Sequence, residues 1–186
     1  MSYLILSFFI AFAFFRLWKK TSKPWVLVFF LMPSLYFFWQ FDFEKLNSSS
    51  FMLLVLWVLW MELVGDDLIH LSVNSTTFFG VLAYTLFYAV TTDLSVEQVF
   101  MSLFLFLFIT VTSILLSWFK NEIVLGQADP YAISVLALFI EFSDVGFWIF
   151  IFSILAIVHL YLQKLYQNVN RAAFIPFIFS SWMLFF

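Results

Sequence analysis

The chain alternates long apolar runs with short polar steps. Runs at about 3–18, 25–41, 49–65, 76–92, 96–119, 130–143, 145–163 and 172–186 mostly approach the roughly 20 residues that a helix needs to cross a bilayer. The pattern predicts an all-α, polytopic transmembrane helix bundle of about eight helices. The sixth run is short and bracketed by Asp129 and by Glu141 and Asp144, so it is expected to tilt or re-enter rather than cross squarely. With no repeat, low-complexity tract or long polar loop, residues 1–186 read as a single membrane domain.

Composition agrees. The sequence is 65% hydrophobic and 10% charged with 30 phenylalanines and 8 tryptophans, and its mean hydropathy is +1.08. No soluble core of this length buries so many rings, so the expected location is the cell membrane, with multiple passes. The first run lacks a small-residue cleavage site and is followed by Arg16, Lys19, Lys20 and Lys23, so a retained helix is expected there. There is no cysteine, which removes disulfides, thiolate metal sites and cysteine nucleophiles; no cofactor and no metal are expected.

Orientation follows the basic residues. With the N-terminus outside, Arg16, Lys19, Lys20, Lys23, Lys120, Lys164 and Arg171 face the cytoplasm and Lys45 alone faces out, a strong positive-inside bias. Juxtamembrane Lys and Arg in the first loop are expected to meet anionic lipid; nothing in the sequence calls for nucleic acid. Asp66, Asp67, Glu122 and Asp129 share the cytoplasmic side. Carboxylates at a bilayer edge are costly and call for an explanation.

The third run comes inward to Glu62-Leu63-Val64-Gly65-Asp66-Asp67, and the sixth goes outward from Gly126-Gln127-Ala128-Asp129-Pro130. Carboxylates from distant parts of the chain can therefore meet at one depth near the interface. Two such groups held together do not both ionise easily, so one keeps a proton while the other takes one from water, as in aspartic proteases. The bland alternatives are that Asp129 is a helix N-cap with Pro130 as first helical residue, and that Asp66 and Asp67 sit solvated in a loop. Glu62 shares a helix face with Asp66 and is expected to point into the bundle. His70 is expected in a polar loop, and His159 bonded to a neighbouring helix; two histidines so far apart make no metal pattern.

Three patches, in order, resemble the type IV prepilin peptidases, membrane aspartic proteases of pilus and competence systems. Gly126-Gln127-Ala128-Asp129 stands in place of the family's Gly-x-Gly-Asp motif. Asp67-Leu68-Ile69-His70-Leu71-Ser72-Val73-Asn74 stands for its Asp-Leu-x-x-x-x-Ile-Pro-Asn-like stretch, and Ala173-Phe174-Ile175-Pro176-Phe177 for the apolar-Pro-Phe opening of the last helix. The resemblance covers about 50–186 and implies an intramembrane aspartic endopeptidase that removes the leader of prepilin or pseudopilin precursors. It implies Asp67 and Asp129 as the catalytic pair, with Asp66 as the alternative to Asp67, and Gly126, Ala128 and Pro176 as motif support.

The departures are specific. Ala128 replaces the second glycine, which predicts a strained loop if that position needs positive φ. The first motif lacks its proline and aligns on Asp67 through Leu68 and Val73, or on Asp66 through Asn74. The cysteine-rich cytoplasmic segment is shrunk to Lys19-Lys20-Thr21-Ser22-Lys23-Pro24, making this a short form and leaving N-methylation of the product open. Two other readings stand beside the protease: a degenerate homologue acting as a membrane scaffold, and a small proton-coupled transporter using Glu62 and Asp129, against which the lack of an inverted repeat argues. Oligomeric state and the particular substrate are open.

Overall fold

The computed structural model describes residues 48–70, 72–121, 125–167 and 174–185. Within them the chain is all-helical: α1 Ser48–His70, α2 Ser75–Thr91, α3 Val96–Lys120, α4 Asp129–Ala137, α5 Val145–Gln167 and α6 Ile175–Trp182. The first two apolar runs, their basic loop, Lys45, Glu122 and Arg171 lie outside the described residues.

Local sequence explains the helix boundaries. Asn74 caps α2, its Oδ1 accepting from Thr76 N at 2.9 Å and Thr77 N at 3.4 Å. Ser95 and Gln98 form a capping box at the start of α3, each side chain accepting the other's backbone N–H. Asn121 ends α3 in the left-handed region at φ 52°, a conformation asparagine tolerates better than most residues.

α4 and α6 are central, each packed against three other helices. α6 packs against α1, α4 and α5, α1 also against α2, and α4 against α2 and α3. Every residue of α6 from Ile175 to Trp182 is buried. Peripheral helices bury single stripes: Phe78, Val81, Leu82, Thr85, Tyr88 and Ala89 on α2, and Val145, Trp148, Phe152, Ala156 and His159 on α5, both at helical spacing. His159, expected to bond to a neighbouring helix, packs its ring 4.9 Å from that of Phe177 on α6.

Ring stacking locks the centre. Trp60 stacks on Phe179 at 5.7 Å and 12°, and Phe179 on Trp182 at 5.6 Å and 18°. Trp60 Nε1 donates to Thr85 Oγ1 at 3.1 Å, and that hydroxyl donates to Val81 O at 2.7 Å, so the buried indole N–H is satisfied as burial demands.

α3 is built inside-out. Its buried residues are Ser102 and Leu105, with Ser102 Oγ donating to Ser134 O at 2.7 Å, while Phe100, Leu103, Phe104, Leu107, Phe108, Val111 and Ile114 are exposed. By length and composition it is, among the described residues, the one helix able to cross a membrane by itself. Ser75–Thr91 and Val145–Tyr161 are apolar but shorter. α4 differs from expectation, since its helix stops at Ala137 instead of reaching residue 143. Turns follow, with Phe139 N donating to Leu136 O and Ile140 N to Ala137 O. The last helix likewise fills only the middle of the expected 172–186 run.

Trp60→Ala is expected to destabilise the detergent-solubilised protein by about 3–5 kcal/mol, the usual cost of emptying a large core site. Thr85→Val should cost about 1–3 kcal/mol by orphaning the indole N–H. Thermal unfolding of the two variants checks both the size and the order.

Candidate active site

α1 carries Glu62, Asp66 and Asp67 in its last turns, and successive residues on a helix point about 100° apart. That rotation separates the two aspartates. Asp67 is buried, 8% exposed, whereas Asp66 and Glu62 are half-buried and His70, now the last residue of α1, is exposed. The Asp67 side chain reaches the start of α6, where its Oδ2 accepts the backbone N–H of Ile175 at 3.1 Å.

Asp129 is also buried, 6% exposed. It is not the expected N-cap. Ala128 holds that position, and Asp129 is the first helical residue with Pro130 after it. Its carboxylate turns away from the α4 amides and accepts the upstream N–H of Gly126 on Oδ2 at 2.9 Å, while Asp129 N donates back to Gly126 O at 3.2 Å. The two bonds close the turn 126–129 on itself.

The glycine and alanine of this loop are explained by contacts and torsions. A Cβ on Gly126 would stand 2.9 Å from Asp129 Oδ2, so any larger residue displaces the carboxylate. Ala128 has φ −78° and ψ −27°, ordinary right-handed helical values, so the expected strain from replacing a glycine does not arise. Among the described residues Asn121 is the one non-glycine with positive φ.

The charge of Asp67 acts on Asp129, and both lie outside the apolar runs, Asp67 just past one and Asp129 just before the other. Burial lifts the Asp67 carboxyl from the usual 3.8 to about 6, against the N–H groups of Ile175 and Phe174 that favour its charged form. Burial first, and then the negative charge of Asp67, lift Asp129 to about 7 against the opposing Gly126 N–H. Such a pair shares its proton, and its two ionisation steps belong to the dyad.

Among the described residues no group of His, Asp and Glu is arranged to hold a metal ion. Sequence reasoning missed the backbone donor at Ile175, which no side-chain pattern reveals. One signal pointed to it: Pro176 opens a helix with only Ala172, Ala173 and Phe174 before it, none able to cap. No protein-family model, curated protein or solved structure matches the chain.

The arrangement can retain one proton on a pair of carboxyls near neutral pH and present the other carboxylate as a base. Gly126 and Gln127, at the edge of the site, are exposed.

Two outcomes follow. Both carboxyls titrate higher in the folded protein than the unfolded value of 3.8, so between about pH 4 and pH 7 the unfolded chain releases protons that the native one retains, and stability falls as pH rises through that window. A thermal-unfolding series over pH should show this decline and a flatter profile in the double variant Asp67→Asn/Asp129→Asn. Gly126→Ala should lower the unfolding temperature by about 3–8 °C and shift the titration of Asp129 upward as its N–H contact is lost, measured by infrared spectroscopy of the protonated carboxyl.

Proposed function

We propose that the protein is a multi-pass membrane aspartic endopeptidase that cleaves the leader of prepilin-like precursors at the cytoplasmic membrane face, with Asp67 and Asp129 as the dyad. The observation that carries the reading is the pairing of two buried carboxyls from α1 and α4. For a structural role alone, an asparagine at 129 would accept the Gly126 N–H just as well and without the cost of a second charge beside Asp67. Carboxyls held at such a cost are more often chemical than architectural.

The outward-facing apolar surface of α3 supports a membrane setting, and the run pattern of the whole sequence supports about eight helices with the N-terminus outside. The substrate class rests on the three-motif resemblance. Such a precursor presents a basic leader followed by an apolar helix, and a dyad at the cytoplasmic ends of α1 and α4 suits that junction. The reaction requires a water between the carboxyls: the ionised member takes its proton, the oxygen attacks the scissile carbonyl, and the protonated member supplies the developing oxyanion.

The alternatives lose specific support. The scaffold reading drew on Ala128 and on the missing proline of the first motif; the first of these is weakened, since the Ala128 backbone is unstrained. The transporter reading paired Glu62 with Asp129, whereas the charge acting on Asp129 is that of Asp67.

Asp67→Ala and Asp129→Ala should each reduce cleavage of a co-expressed prepilin at least about 100-fold, the minimum loss for removing a general acid or base. Asp66→Ala should cleave within a few-fold of the parent. Immunoblotting of precursor and mature pilin reads all three, and full activity in both dyad variants excludes the assignment.

A further inference from the structure

Four helices stop at one level and α3 runs on past them. The bond from Asp67 to Ile175 N–H joins the inner ends of α1 and α6, and α1 passes into α2 within a few residues. Tyr131, in the first turn of α4, lies 6.4 Å from Phe78, in the first turn of α2, between ring centres, so these two helices start together. Two contacts set α3 against this level. Ser102 Oγ donates to Ser134 O at 2.7 Å, and the Phe106 ring lies 4.9 Å from that of Tyr131. The two helices are antiparallel, and continuing their register inward brings Asp129 opposite Phe108, the middle residue of the 25 in α3. From there α3 continues to Lys120, about 18 Å farther at about 1.5 Å per residue.

That inner half is not a cytoplasmic arm. Its residues Val111, Ile114, Leu115, Leu116, Trp118 and Phe119 are exposed, and an apolar patch of that extent is not kept in water without large cost. The first charge after the run is Lys120, with Trp118 near it, a combination that marks a membrane boundary. The carboxyl pair is therefore level with the middle of the one described helix able to cross a bilayer by itself.

Carboxyls and irregular backbone at such depth need protein or water around them. Gly126 and Gln127 are exposed there. The α3 face that carries Ser102 and Phe106 against α4 continues inward as Thr110, Ser113, Ser117 and Lys120, at helical spacing. The first three of these are half-buried and Lys120 is exposed. Of the four hydroxyl residues between Leu103 and Phe119, three fall on this line, while the opposite face is apolar throughout. Thr110 Oγ1, the hydroxyl closest to the level of the pair, is enclosed and has no hydrogen-bond partner among the described residues, a cost that water at the end of a cleft removes.

We propose that the inner half of α3 is one wall of a water-filled cleft that opens to the cytoplasm at Lys120 and closes at Asp67 and Asp129, about half-way across the bilayer. One face of the helix meets lipid and the other meets water. The cleft itself rests on the membrane setting; as the route by which water and the scissile segment of a precursor descend to the pair, it rests also on the endopeptidase reading. Extended chain covers that descent in about five or six residues.

The chain has no cysteine, so each introduced thiol is the sole reporter. Ser113→Cys, Ser117→Cys and Gln127→Cys report on the cleft, and Val111→Cys and Leu115→Cys on the opposite face of α3 at matched depth. All five positions are exposed or half-buried, which spares the core. The full-length variants are placed in sealed vesicles of known orientation and treated with a membrane-impermeant cationic methanethiosulfonate. The reagent attacks thiolates, which form where water reaches, so from the cytoplasmic side residues 113, 117 and 127 should react at least about 10-fold faster than 111 and 115. From the outer side none should react. Equal rates on both faces of α3 place its inner half in the cytoplasm and overturn the proposal. Protection of 113 and 127, with or without reaction at 117, leaves the pair cut off from water and overturns it as well. Prepilin cleavage is scored separately, so the expected labelling without cleavage rejects the protease reading while leaving the cleft standing.

Discussion

The bond from Ile175 N–H to the Asp67 carboxylate joins two chain segments 108 residues apart, and the architecture around the site depends on it. A buried helix start exposes N–H groups that need acceptors, and α6 has none from its own sequence. Asp67 supplies one and thereby fixes the last turn of α1 against the first turn of α6. Farther along the same pair of helices, Trp60 stacks on Phe179. Register is thus set at one end by a charge-assisted hydrogen bond and in the middle by ring packing, and neither contact tolerates a slip of one residue.

That arrangement places a carboxylate in a buried site, with a second one near enough for its charge to be felt. Desolvation opposes ionisation of both, and their mutual repulsion adds to the strain. Stability is given up at the point where the chain could most readily have chosen neutral residues, a pattern common where function and folding compete. The surrounding packing is what makes this tolerable: α6 is buried throughout, and α4 is exposed only at Tyr131.

Much of the site was readable from residue types. Apolar runs located the six described helices, and Asp67 and Asp129, singled out from sequence, are both buried, with the charge of Asp67 acting on Asp129. The motif alignment favoured Asp67 over Asp66, but residue type alone does not say which of two adjacent aspartates turns inward. Asp66 and Asp67 have the same chemistry, and helical rotation against α6 separates them, which is tertiary information. Asp129 looked like a cap because an aspartate before a proline usually is one. The second carboxylate and the turn back to Gly126 override that preference. The length of α4 was misjudged for a related reason: apolarity continues past Ala137, but the backbone leaves the helix for turns that Phe139 and Ile140 still bury well. Apolar content reports burial, and burial does not require a helix.

The 2.9 Å approach between a would-be Cβ at 126 and Asp129 Oδ2 also bears on what position 126 can hold. Gly126 has no unusual torsion to serve, so its smallness matters only while a carboxylate occupies 129. The two positions are therefore sterically coupled: a side chain at 126 and the present placement of the carboxylate at 129 compete for the same space, and a smaller residue at 129 would relieve the limit on 126.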